Sequence, residues 1–161
     1  MNLDELEQHL LEILEQTHQR QQSVLELLDQ QHQAMIERDL TRLSGIATEL
    51  VGRAQELQGL EQQRAAVTRQ ITEMNEGLGE NPSLQEIAIL SPEPNRRDLF
   101  RDIRESLLHT QEQVTSARDR NQSLASNIVE ANDDTLRNLM STLRESGYSP
   151  EDTPRVVDRR A

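Results

Sequence analysis

The sequence predicts an all-α protein: an antiparallel bundle of three long helices with coiled-coil-like packing, a short helix in the second connection and a disordered C-terminal tail. Three observations carry this. Apolar residues recur at three- and four-residue steps along nearly the whole chain, which is the spacing of a single helical face. Leu, Glu, Gln and Arg dominate a composition with one Phe, one Tyr and no Trp, and a core so poor in aromatics suits narrow helix–helix seams. All five prolines fall in two stretches, residues 82–94 and 150–154, so two long segments are left free of helix breakers.

The first helix is expected over 3–37, with Leu3, Leu6, Leu10, Ile13, Leu14, Val24, Leu27, Leu28 and Met35 on one side. Its middle is weak, because Thr17, Arg20 and Gln21 interrupt the seam. Asp39 is a natural N-cap for the second helix, and the break at "IERDLTR" is short enough to turn the chain antiparallel.

Heptad counting over the second helix, 40–76, gives two columns. One is Leu43, Leu50, Leu57, Arg64, Ile71 and the other is Ile46, Arg53, Leu60, Val67, Met74. Apolar residues dominate both, so the helix should lie along a neighbour for its whole length. Arg53 and Arg64 are expected to snorkel or to meet Glu on a neighbouring helix.

Gly77 and Gly79 stop this helix, and Pro82, Pro92 and Pro94 discourage its continuation. Between them, Ser83 and Glu86 stand at capping-box spacing and predict a short helix at 83–90. Its Leu84, Ile87 and Leu90 would cover one end of the bundle. The third long helix is placed at 96–146, with Asn95 and Asp98 as a second capping box. It would be about 75 Å long against about 55 Å for the others, so part of it should lack full cover. Residues 1–147 thus form one expected domain and 148–161 a flexible tail, with mixed charge and no periodicity.

A net charge of −12 argues against nucleic acid or an anionic membrane as a target, since both select basic surfaces. There is no Cys, hence no disulfide, thiolate metal site or thiol nucleophile. The acidic, amphipathic start "MNLDELEQHLLEIL" is unlike a secretory signal, and no stretch approaches the length of a membrane span. A cytoplasmic protein without membrane insertion is expected. Glu15 with His18 and Asp29 with His32 form carboxylate–x–x–His pairs, but both lie on the first helix, whereas a di-metal bundle site draws its motifs from different helices. They are read as solvated side chains on an outer face. No Ser or Thr sits on an exposed turn beside a His, and no glycine pattern cradles a phosphate. The expectation is a non-enzyme with no metal or cofactor.

The third long helix carries a broad apolar arc. At 100° per residue, Leu124, Ile128, Leu139, Leu143 and Leu136 fall within about 120°, and Val129 and Met140 widen it. Asn121 and Asn132 lie inside the arc. Either the arc packs on the first two helices, with the asparagines fixing register, or it is a groove for another protein's amphipathic helix.

"LTRLSGIATELVGRAQELQGLEQQRAAVTRQ" resembles the second-helix signature of the FlgN family of flagellar export chaperones. "RNQSLASNIVEANDDTLRNLMSTL", with Asn121 and Asn132 eleven residues apart, is similar to that family's third-helix segment. The chain departs from the pattern at Gln122, where relatives often carry Gly, and at "SGYS" in place of Leu-Tyr-Gly. The resemblance implies a cytoplasmic chaperone of type III export. Such a chaperone binds the terminal helical segments of hook-associated, hook-filament junction proteins, prevents their premature assembly and delivers them to the export gate. Carried onto this sequence, the cargo-binding set is Asn121, Leu124, Ile128, Asn132, Leu136, Leu139, Met140 and Leu143. Tyr148 would dock on the cytoplasmic domain of the export gate. A weak homodimer is compatible with this reading. The competing class is a structural coiled-coil adaptor or rod whose stripes serve only self-association.

Overall fold

The computed structural model describes residues 1–145. Among these, every regular element is helical: α1 (Leu3–Glu37), α2 (Leu40–Glu73), α3 (Leu84–Leu90) and α4 (Pro94–Glu145). The chain divides into two units, Met1–Asn121 and the residues from Gln122 on.

In the first unit the caps explain where helices begin and turn. Asn2 and Glu5 close a reciprocal capping box at the start of α1, satisfying two otherwise orphaned amides. At its end Arg38 takes the left-handed conformation (φ 56°), its amide and that of Asp39 folding back to Met35 and Ala34. Asp39 then accepts from the Arg42 amide at 3.0 Å and starts α2. Two residues therefore reverse the chain. The cross-helix pairs Ser23–Arg53 and Arg20–Glu56 show α1 and α2 running in opposite directions, since each step forward on one is a step back on the other.

The first part of α4 runs the other way relative to α2. Its pairs with α1 are Arg96–Glu7, Thr110–His18, Arg120–Asp29 and Asn121–Leu28, so α1 and α4 advance together. Along the first part of α4, Arg96, Phe100, Ile103, Leu107, Thr110, Val114, Ala117 and Asn121 are buried or half-buried at four- and three-residue steps, with Ser106 half-buried beside Leu107.

The core of this unit is in two parts. The larger joins Leu6, Leu10 and Leu14 of α1 to Leu60, Val67 and Ile71 of α2, Ile87 of α3 and the fully buried ring of Phe100. The smaller is built on Leu27, Ala34 and Ile46. Between them lies a polar waist of Thr17, His18, Arg20 and Ser23 facing Arg53, Glu56 and Thr110, which is where the sequence pattern of α1 weakens.

Several expectations need correction. α2 ends at Glu73, not 76, because the chain must turn there to bring Leu78 back against the larger cluster. α4 starts on Pro94, one residue before Asn95. A proline in the first turn has no amide to satisfy, the Arg96 and Arg97 amides bond to Glu93 O, and Asp98 instead pairs with Arg101 at 2.7 Å. His18 does not lie on a solvated face: it is half-buried and bonds Thr110 at 3.1 Å, because α1 has two neighbours and a wider buried face than one seam. Arg53 and Arg64 meet glutamates of their own helix, Glu56 and Glu61, and the Arg64 hydrogen bond lowers the Glu61 pKa. Leu90 is exposed, while Ile87 is buried in the core and Leu84 packs against it from α3.

A buried polar knot, unforeseen in the pattern, ties the start of α1 to the α3–α4 connection. Glu7, only 2% exposed, accepts from the Ser91 hydroxyl at 2.8 Å and from Arg96 at 3.1 Å, and Arg96 also pairs with Asp4. Burial works against the charge of Arg96, but its hydrogen bonds to Asp4 and Glu7 win and raise its pKa.

Candidate functional site

The second unit, as far as it is described, is the helical segment 122–145 of α4. None of its residues is buried. Leu136 and Leu139 are 59% and 54% exposed, Val129 and Met140 are exposed as well, and Leu124, Ile128 and Leu143 are half-exposed. Large aliphatic side chains in water on one angular sector are the feature that calls for a partner, because scattered single ones need none.

The surroundings of the arc favour an apolar contact. Glu130, Asp133, Asp134, Arg137, Arg144 and Glu145 all fall outside the sector by helical periodicity. At its edge, Thr135 and Thr142 donate their hydroxyls to Ala131 O and Asn138 O at 2.8 and 2.9 Å. Their polar atoms are thus occupied along their own helix.

The spacing also changes here. After the regular four–three alternation that ends at Asn121, the apolar or amide positions run 121, 124, 128, 132, 136, 139, 143. The three–four–four step from Asn121 to Asn132 spans eleven residues, a period that straightens a seam otherwise wound to the left.

The two asparagines have different surroundings. Asn121 is 4% exposed, and its amide nitrogen donates to Leu28 O at 2.7 Å and to Gln31 at 2.9 Å. Its amide is spent inside the first unit. Asn132 is exposed on the arc, four residues from Ile128 on one side and four from Leu136 on the other. Of the predicted cargo residues, then, seven are exposed or half-exposed on one sector, and Asn121, on the same sector by helical periodicity, is buried. Tyr148 lies outside the described residues.

Metal chemistry has no built site here: among the described residues no group of three or more His, Asp or Glu could hold an ion. Among the described residues, His32 is half-buried rather than solvated, its Nδ1 buried without a partner, and His9 approaches Glu12 at 3.8 Å. Among the same residues no helix is long and apolar enough to cross a membrane.

Comparison with known families decides the relationship. The model of the family described as FlgN protein matches residues 1–155. The chain belongs to the FlgN family. The match takes in all four helices and the arc, and FlgN membership suggests the role of a flagellar export chaperone. No curated protein and no solved structure matches the chain.

Proposed function

We propose that this FlgN protein is a type III export chaperone whose three long helices form an antiparallel, coiled-coil-like scaffold. Segment 122–145 holds the terminal helical segment of a hook-filament junction protein. The observation that carries the reading is the aliphatic sector of Leu124, Ile128, Leu136, Leu139, Met140 and Leu143, exposed or half-exposed throughout, in a chain of this family. Asn132 sits among them as the polar position that can fix the register of a docked helix. Covering roughly 400 Å² of apolar surface would gain about 10 kcal/mol gross. Ordering and association costs reduce this to micromolar-to-nanomolar binding, suited to a client that must be released at the export gate. Holding that segment would keep it from assembling early.

Replacing Ile128 and Leu139 together by Asp should abolish co-purification of the junction protein while helicity by circular dichroism survives. Undiminished capture would reject the arc as the cargo site. Tyr148, a lone aromatic among Glu145, Glu151 and Asp152, is assigned to the gate, since a ring with a hydroxyl makes an economical anchor in a short docking element. Tyr148→Ala should weaken binding to the gate's cytoplasmic domain and spare cargo binding. A rod acting through self-association would instead sediment as a tight homo-oligomer indifferent to the junction protein.

A further inference from the structure

Within the first unit, α3 and the opening turns of α4 enclose a cleft of about 410 Å³ that the chaperone reading does not use. Its apolar lining comes from Leu84, Ala88, Ile89 and Phe100. Phe100 is fully buried, while Ile89, 63% exposed, offers its side chain to water. The α4 wall is basic. Arg97, Arg101 and Arg104 line it at four- and three-residue spacing, which puts them on one face of the helix.

Three of the lining side chains are cationic in a chain with net charge −12, although Asp98 and Asp102 stand between them on the same helix. Arg97 donates to a neutral acceptor, Ser91 O, at 2.6 Å. Among the described residues Arg101 pairs with Asp98 on its own helix, both well exposed, a pairing of small value. Arg104 has no ion pair among the described residues, and a single carboxylate, Glu105, lines the cleft with them.

We propose that this cleft is a docking site for an acidic segment of a partner protein. A bulky apolar side chain of that segment enters between α3 and α4, and carboxylates beside it meet Arg101 and Arg104. Charge complementarity and the apolar lining select this occupant together. Arginine forks bind carboxylates in two-point geometry, and the floor rewards an aliphatic or aromatic side chain that a purely polar anion lacks. A nucleic acid or an anionic membrane would bring extended negative charge against the rest of an acidic surface, whereas a short segment meets only the basic patch.

The test titrates the full chain against a fluorescent synthetic peptide carrying Leu and Phe between Asp and Glu residues. A twin peptide has Asn and Gln in place of the acids, and a third arm uses phosphatidylglycerol vesicles. The acidic peptide should bind about tenfold or more tighter than its twin. That preference should collapse as salt rises from about 0.05 to about 0.5 M. Arg101→Glu with Arg104→Glu, both outside the core, should remove the preference with helicity and junction-protein capture unchanged. Ile89→Ser should weaken both peptides. Equal binding of the twins, no binding of either, indifference to the arginine reversals, or capture of vesicles in place of peptide would each overturn the proposal.

Discussion

Glu7 follows Leu6 in an amphipathic run, yet its carboxylate is buried with Ser91 and Arg96 as partners. A buried pair of this kind adds little over an apolar replacement of both groups, but removing one partner strands the other charge. Glu7→Ala should therefore cost about 3–5 kcal/mol in urea unfolding followed by circular dichroism. Glu7→Gln, which can still accept from Ser91, should cost less. Equal stability of Glu7→Ala and the parent would mean that Arg96 reaches water or Asp4 without loss. The sequence offers no sign of this knot, because its members lie 84 and 89 positions apart and periodicity sees only neighbours on one helix. The asparagines make the same point from the other side. Helical spacing correctly puts Asn121 and Asn132 on one angular sector, but it cannot say where a neighbouring helix stops covering that sector. Asn121 is paired with α1 and Asn132 is exposed.

Elements were the most legible level, since caps and seams are local. Asp39, Ser83 and Glu86 act at the helix starts assigned to them, and nine of the ten seam positions counted on α2 are buried or half-buried, Met74 being the exception just beyond the helix. What spacing could not supply was the partner of each seam arginine, because a glutamate three residues away on the same helix competes with one across the interface. α2 also carries Gly45, Gly52 and Gly59 at seven-residue intervals in its interior, and a Cβ at any of them would meet nothing within 4 Å. Glycine in a helix interior costs about 0.5–1 kcal/mol relative to alanine. Gly52→Ala and Gly59→Ala should each stabilise by that amount in thermal or urea melts, and no gain would show that a partner surface needs the open space. At α3, hydrogen bonds from the Ser83 amide and hydroxyl hold the Glu86 carboxyl below its ordinary 4.5. A depressed pKa contributes stability that is complete above 4.5 and lost as pH falls through the lowered value. Exchange protection of the Ser83 amide should fall in that acid range, and Glu86→Gln should flatten the dependence.

At the scale of the molecule, every buried residue among those described lies at or before Asn121. Stability should therefore reside in the first unit, and a chain ending at Asn121 should unfold in urea within about 1 kcal/mol of the full chain, the range of changes that touch no core. None of the described residues of segment 122–145 is buried, so little apolar packing holds it. In proteins most helical stability comes from packing of an amphipathic face, which this segment lacks. Hydrogen exchange should therefore be faster at amides 122–145 than at 100–117, in keeping with local opening where few apolar contacts are made. Binding of a junction protein should slow exchange in 122–145 first, because docking covers the aliphatic sector that is otherwise in water. If truncation at Asn121 instead cost several kcal/mol, or if exchange in 122–145 were already as slow as in 100–117 without cargo, the sector would be covered in solution by a second copy of the chain. Cargo binding would then have to begin by displacing that copy, and affinity for the junction protein would fall as chaperone concentration rose.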